Sequence, residues 1–221
     1  VTVSPSHRSN PVEYPSDDGK PMAESDFQRN YLTYAVEVLR IHFQSQPEVY
    51  VSGNLFLYYE QGNAAAVVAP DVFVVLGAEQ RDRPSYRVWE EGGKVPDFIL
   101  EITSKSTVSE DQGTKKGLYA YLGVREYWQY DPTGDYLSPR LKGLRLAGEN
   151  YWPMAGTELP DGMLSLFSEV LNLELRLLPT GELRFHNPAT GVTLLTHSEE
   201  AQRAQRLAAK LRELNIDPDT L

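Results

Sequence analysis

The chain contains no cysteine among its 221 residues. Disulfides, thiolate metal ligands and a cysteine nucleophile are thereby excluded, so any metal must sit on oxygen or imidazole. Imidazole is itself scarce: His7, His42, His186 and His197 form neither an HxH nor an HxxxH pair, which leaves a zinc site without support. No apolar run approaches the ~20 residues of a bilayer span, and no secretory leader pattern opens the chain. These absences agree with a cytoplasmic protein that has no membrane partner. GxSxG, P-loop and GxGxxG patterns are missing as well, so serine hydrolase and nucleotide-binding readings find nothing to rest on. Positive charge is the last shortage, with 21 Lys and Arg against 31 Asp and Glu for a net charge of −10. Tight constitutive binding of nucleic acid rests on phosphate neutralisation and is disfavoured, but a divalent cation on clustered carboxylates inverts the local field. Lys105, Lys115, Lys116 and Arg125 fall within one short stretch and can form a small basic face.

What is present fits one compact domain with an embellishment. Residues 1–23 carry Pro5, Pro11, Pro15 and Pro21 at intervals that leave no room for a regular element, which predicts an extended arm. Ser25-Asp26-Phe27-Gln28 is a capping box, and Phe27, Tyr31, Tyr34, Val38 and Ile41 then recur on one helical face. β-prone runs at 49–51 and 55–59 lead as a meander into the apolar strand that follows Asp71. A second apolar strand contains Glu101. Ser106 and Thr107 cap a helix expected to run to about Leu122 and close at Gly123, and Glu126–Asp131 is an aromatic strand. Strand, helix and strand in this order predict a βαβ-like unit with a parallel pair. Within the aromatic strand, alternation would bury one of Tyr127 and Trp128 and expose the other. From about 134 to 195 short strands and turns predict an antiparallel β appendage. The last element, from 196 to 221, opens on a second capping box at Thr196–Glu199 and carries Ala204, Leu207, Leu211 and Leu214 as a stripe. That stripe can dock on its own core or pair with a second copy.

The chemistry concentrates on two acids. Asp71 in Pro70-Asp71-Val72-Phe73-Val74-Val75 and Glu101 in Phe98-Ile99-Leu100-Glu101-Ile102-Thr103 each sit on a short apolar run. A carboxylate on a buried strand is costly unless a positive partner meets it. A divalent metal on Asp71, Glu101 and the Ile102 carbonyl, with Lys115 or Lys116 from the following helix, would supply that partner. Oxygen-ligated Mg²⁺ or Mn²⁺ activates water and neutralises charge on a phosphate, which is what phosphodiester hydrolysis needs.

Pro-Asp on one strand followed by Glu-x-Lys on the next is the signature of the PD-(D/E)XK nuclease superfamily. This chain has Pro70-Asp71 and Glu101-Ile102-Thr103. The stretch Pro96–Thr107, followed by Asp111, Lys115, Tyr119 and Gly123–Pro132, closely resembles the Uma-two family of restriction endonuclease-like proteins, over roughly residues 20–215. The resemblance implies an α/β (α+β) restriction-endonuclease-like core over 24–195, with a mixed central sheet flanked by helices. It implies a Mg²⁺- or Mn²⁺-dependent endonuclease acting on DNA as a homodimer, with Asp71 and Glu101 as metal-binding acids. Thr103 stands where the superfamily places its lysine, and Lys115 matches a lysine moved onto the next helix. Lys105 and Lys116 are weaker candidates for that role. Glu37 is the candidate for the acid that superfamily members carry on the first helix. The alternative implication is a nuclease fold kept as a DNA-binding or protein-interaction module without catalysis.

Overall fold

The computed structural model describes residues 12–15, 25–214 and 217. Most of the expected arm at 1–23 lies outside the described residues. Within it, Tyr14 packs on Tyr58 and Trp89, and Tyr58 donates its hydroxyl to the Pro15 carbonyl. Helix α1 (Asp26–His42) begins at the predicted capping box, with both reciprocal bonds between Ser25 and Gln28 made. In chain order there follow β1 (Val49–Ser52), β2 (Leu57–Tyr58), β3 (Val67–Val68), β4 (Val72–Leu76), β5 (Tyr86–Arg87), β6 (Phe98–Ile102), α2 (Val108–Gln112) and α3 (Thr114–Leu122). Then come β7 (Glu126–Tyr130), β8 (Leu141–Ala147), β9 (Asn150–Pro153), β10 (Thr157–Glu158), β11 (Leu164–Ser168), β12 (Leu173–Leu177), β13 (Leu183–Asn187), β14 (Val192–Thr193) and α4 (His197–Glu213).

The mixed α/β architecture expected from sequence is the one formed. A six-stranded central sheet has the order β1-β4-β6-β7-β8-β9. Its parallel pair is β6 with β7, the two strands joined by α2 and α3 as the βαβ pattern requires. Strand parity then assigns two faces. Val72, Val74, Phe98, Leu100, Ile102, Trp128 and Tyr130 join α1 and the five-stranded sheet β10-β11-β12-β13-β14 in one core. Phe73, Val75, Ile99 and Tyr127 join Tyr119 of α3 and the small sheet β3-β2-β5 in the other. Glu101 shares parity with Ile99 and so points to the face covered by α2 and α3.

Several expectations change. The strands at 141–153 extend the central sheet, so the second sheet begins at β10 instead of near residue 134. The single helix expected to end at Leu122 is broken at Gly113 (φ −113°, ψ −90°), where an added Cβ would lie 3.0 Å from the Ser109 carbonyl oxygen. Tyr127 and Trp128 are both fully buried, because β7 is covered on both faces and alternation only chooses the core each enters. No side chain of α4 is buried: Leu207 is 56% and Leu214 66% exposed, so the stripe does not dock on the described body of its own chain.

Candidate active site

β4 and β6 run antiparallel with Val72 opposite Leu100, which brings Asp71 level with Glu101 at one end of the sheet. Where the backbone ladder stops, the Asp71 side chain continues it: Oδ2 accepts the Ile102 amide at 2.7 Å. The Pro70-Asp71 loop is clamped against the end of β1. Asn54 donates its amide to the Pro70 carbonyl at 2.9 Å, and a Cβ on Gly53 would collide with the Asp71 carbonyl oxygen.

Glu101 is fully buried and both its oxygens are engaged. The Tyr119 hydroxyl donates to Oε1 at 2.6 Å. Lys115 Nζ donates to Oε2 at 3.0 Å, and the Asp71 amide reaches that same oxygen at 3.4 Å. Lys115 also meets Asp111 Oδ1 at 3.1 Å, an ion pair one helical turn apart in sequence. Asp111 is 1% exposed, and apart from that ion pair neither of its oxygens accepts a hydrogen bond. The Thr103 hydroxyl, also buried, has no hydrogen-bond partner either.

The electrostatics follow from burial and crowding. Burial, and then the charge of Glu101, push the Asp71 carboxyl well above the ordinary carboxylate range. Burial raises Glu101 too, although Lys115 pulls it back. For Lys115 burial opposes the charged form, but the carboxylates of Glu101, Asp111 and Asp71 together outweigh it and hold the ammonium above its usual pKa. Burial and the neighbouring Glu101 charge keep Tyr119 a phenol and hence a donor. Three carboxylates are therefore coupled to one ammonium, with unpartnered oxygen atoms among them. That surplus of negative charge suits a divalent cation. Among the described residues no three acidic or imidazole side chains group so as to hold a metal ion. The oxygen donors that meet at this end of the sheet are the Asp71 and Glu101 carboxylates and the Ile102 carbonyl.

Of the predicted site residues, the fold brings Asp71, Glu101, Ile102, Thr103 and Lys115 together. The Ile102 carbonyl accepts Gln28 Nε2 at 3.2 Å. Lys105 is exposed in a cleft beyond Thr103, and Lys116 lines another cleft beside Tyr121 and Glu149. Glu37 accepts the His197 amide at 2.8 Å in a third cleft. Arg125 pairs with Asp97, so no common basic face forms from these four cations. Sequence reasoning named Asp111 and Tyr119 only within the family resemblance and Gln28 only in the capping box, none of them as a site residue. For the first two a signal existed: Asp111, Lys115 and Tyr119 are spaced four and four, one face repeated, although Gly113 interrupts the helix between them.

A mixed sheet carrying a crowded acid–lysine cluster at one end defines the class to which the chain is compared. The chain belongs to the Uma2 family, described as "Putative restriction endonuclease", whose sequence pattern matches residues 5–178. This bears out the resemblance read from the Pro96–Pro132 motifs. Among solved structures, one described as "a putative nuclease belonging to DUF820 from Anabaena variabilis ATCC 29413" is 18% identical, with a TM-score of 0.42. That match covers 64% of this chain and 75% of the other. A search of curated proteins finds no match. Among the described residues no helix is long and apolar enough to cross a membrane.

Proposed function

We propose that the protein is a metal-dependent DNA endonuclease. The observation that carries this reading is the meeting of Asp71, Glu101 and Lys115 at one end of the central sheet, with negative charge in excess. A bound Mg²⁺ or Mn²⁺ would supply Lewis acidity toward a phosphate oxygen and toward water. Asp71, Glu101 and the Ile102 carbonyl are the groups to hold it. Tyr119 fixes the Glu101 carboxylate through Oε1, so its orientation does not have to be acquired when substrate arrives. Lys115 is held as an ammonium by three acids, which makes it a donor to the phosphate or to the attacking water; it is not a proton acceptor. Asp111 positions Lys115 and balances part of its charge.

Incubation of the purified protein with duplex, branched and single-stranded DNA in Mg²⁺ or Mn²⁺ tests the reading. Metal-dependent cleavage that Asp71→Ala abolishes supports it. Absence of cleavage on every substrate, with no difference between wild type and Asp71→Ala, sinks it. A second reading is favoured by one observation: Thr103 occupies the usual lysine position with its hydroxyl unpartnered. On that reading the fold is a binding module without catalysis. Calorimetric titration with Mn²⁺ separates the two, because a working site binds metal and the double change Asp71→Asn, Glu101→Gln removes that binding.

A further inference from the structure

The cleft where β6 and β7 end is used by none of the chemistry above. It measures about 570 Å³ and is walled by the first turn of α1, the 103–106 exit of β6 and the loop after β7. That size lies within the range of small-ligand pockets, roughly 300–1,000 Å³. It lies at the same end of the sheet as the acid cluster, since Thr103, just past the end of β6 and two residues beyond Glu101, lines it. Gln28 ties the α1 wall to the strand through its bond to the Ile102 carbonyl.

Phe27 gives the cleft its character. By spacing it belongs to the stripe Phe27, Tyr31, Tyr34, Val38 that turns α1 toward the core, yet it overruns the sheet and stands 59% exposed on the cleft wall among the described residues. The rest of the lining comes from polar residue types that present mostly apolar surface: Ser106 and Tyr136 bring hydroxyls and Lys105 an ammonium, whereas the Thr103 hydroxyl is buried and the Gln28 amide is taken by Ile102 and Ser25. One aromatic plane, one cation and hydroxyls beside the proposed cleavage centre match three parts of a nucleotide: base face, phosphate and sugar. A duplex keeps its base faces stacked on one another and has none to offer. An unpaired base does.

We infer that this cleft is a subsite for an unpaired nucleotide of the DNA strand being cut, with Phe27 stacking on the base and Lys105 meeting a neighbouring phosphate. The inference rests on the endonuclease reading and narrows its substrate to DNA with single-stranded character. It also fits the acidic chain, because stacking gives affinity without further cations.

The test is binding in EDTA, where cleavage cannot intervene, to a short single-stranded oligonucleotide and to the blunt duplex of the same sequence. Phe27→Ala should weaken the single strand about tenfold and the duplex by less than about twofold. Phe27→Trp should keep single-strand affinity and show fluorescence quenching on binding, beyond that of the wild type with its three tryptophans. Failure of the single strand to bind, equal effects of Phe27→Ala on both DNAs, no effect on either, or no added quenching in Phe27→Trp would overturn the subsite. Phe27-dependent binding without metal-dependent cleavage would defeat the catalytic reading and leave the subsite standing. Asp71-dependent cleavage without a Phe27 effect would do the reverse.

Discussion

Two glutamates, Glu101 and Glu126, sit on adjacent parallel strands of one sheet, each at most 1% exposed, and point to opposite faces of it. Their surroundings differ in kind. Glu126 receives the Ser168 hydroxyl, the Glu169 amide at 2.8 Å, the Val170 amide at 3.4 Å, the Trp128 indole at 3.2 Å and Arg145 at 3.4 Å. Arg145 also reaches the exposed Glu169 at 2.6 Å, but with four other donors on its own two oxygens Glu126 fastens the turn after β11 to the central sheet. Glu101 shares one lysine with Asp111 and is crowded by Asp71. Buried charge is thus common to both places, and it is the ratio of acids to donors that separates a structural carboxylate from a candidate catalytic one.

That contrast can be broken most sharply at Asp71. Asp71→Asn should lower cleavage by about 1,000-fold, equivalent to about 4 kcal/mol in the barrier, as measured under single-turnover conditions in Mg²⁺. Glu126→Ala should instead cost about 3 kcal/mol of stability in urea unfolding, because it strands the donors of Ser168, Glu169, Val170 and Trp128 in the interior. Its folded fraction should cleave normally. If Glu126→Ala abolishes cleavage without loss of stability, the two glutamates do not differ as argued.

Tyr119→Phe removes the donor to Glu101 Oε1 and should weaken Mn²⁺ binding about tenfold by calorimetry, with the fold intact by circular dichroism. In metal-free protein, Asp71→Asn should raise stability by about 1 kcal/mol, since the amide still accepts from Ile102 while the crowded charge is gone. A fall in stability would show that the carboxylates are already balanced. The smallest effect concerns Asp131, which burial would raise but which the amides of Tyr136, Leu137 and Gly134 hold below its usual pKa. A lowered folded pKa means the stability is present above the unfolded value of about 4 and is lost as pH falls through the folded one. Asp131→Asn should therefore lower the melting temperature at neutral pH, where the contribution is fully present, and the gap to wild type should close as pH falls below about 4.

Much of this was legible in the chain. The capping boxes at Ser25 and Thr196 mark the starts of α1 and α4, because those signals are local. Likewise, Asp71, Glu101 and Lys115 stand out through strand context and helix spacing. Less could be read where covering layers decide. Nothing local distinguishes β8 and β9 as central-sheet strands from appendage strands, since both kinds present short apolar runs and differ only in which edge they pair with. Phe27 looks like one more core residue until the sheet ends beneath it.

For the chain as a whole, sequence determined the residue types and their order: two strand-borne acids, a lysine one helix later, no thiol and almost no imidazole. Tertiary structure decided how many acids share that lysine and which carboxylate is left short of donors. It also decided that Glu126, equally buried, has donors enough. The reason is physical: charge balance and hydrogen-bond satisfaction belong to neighbours in space, and those neighbours arrive from strands and helices far apart in the sequence.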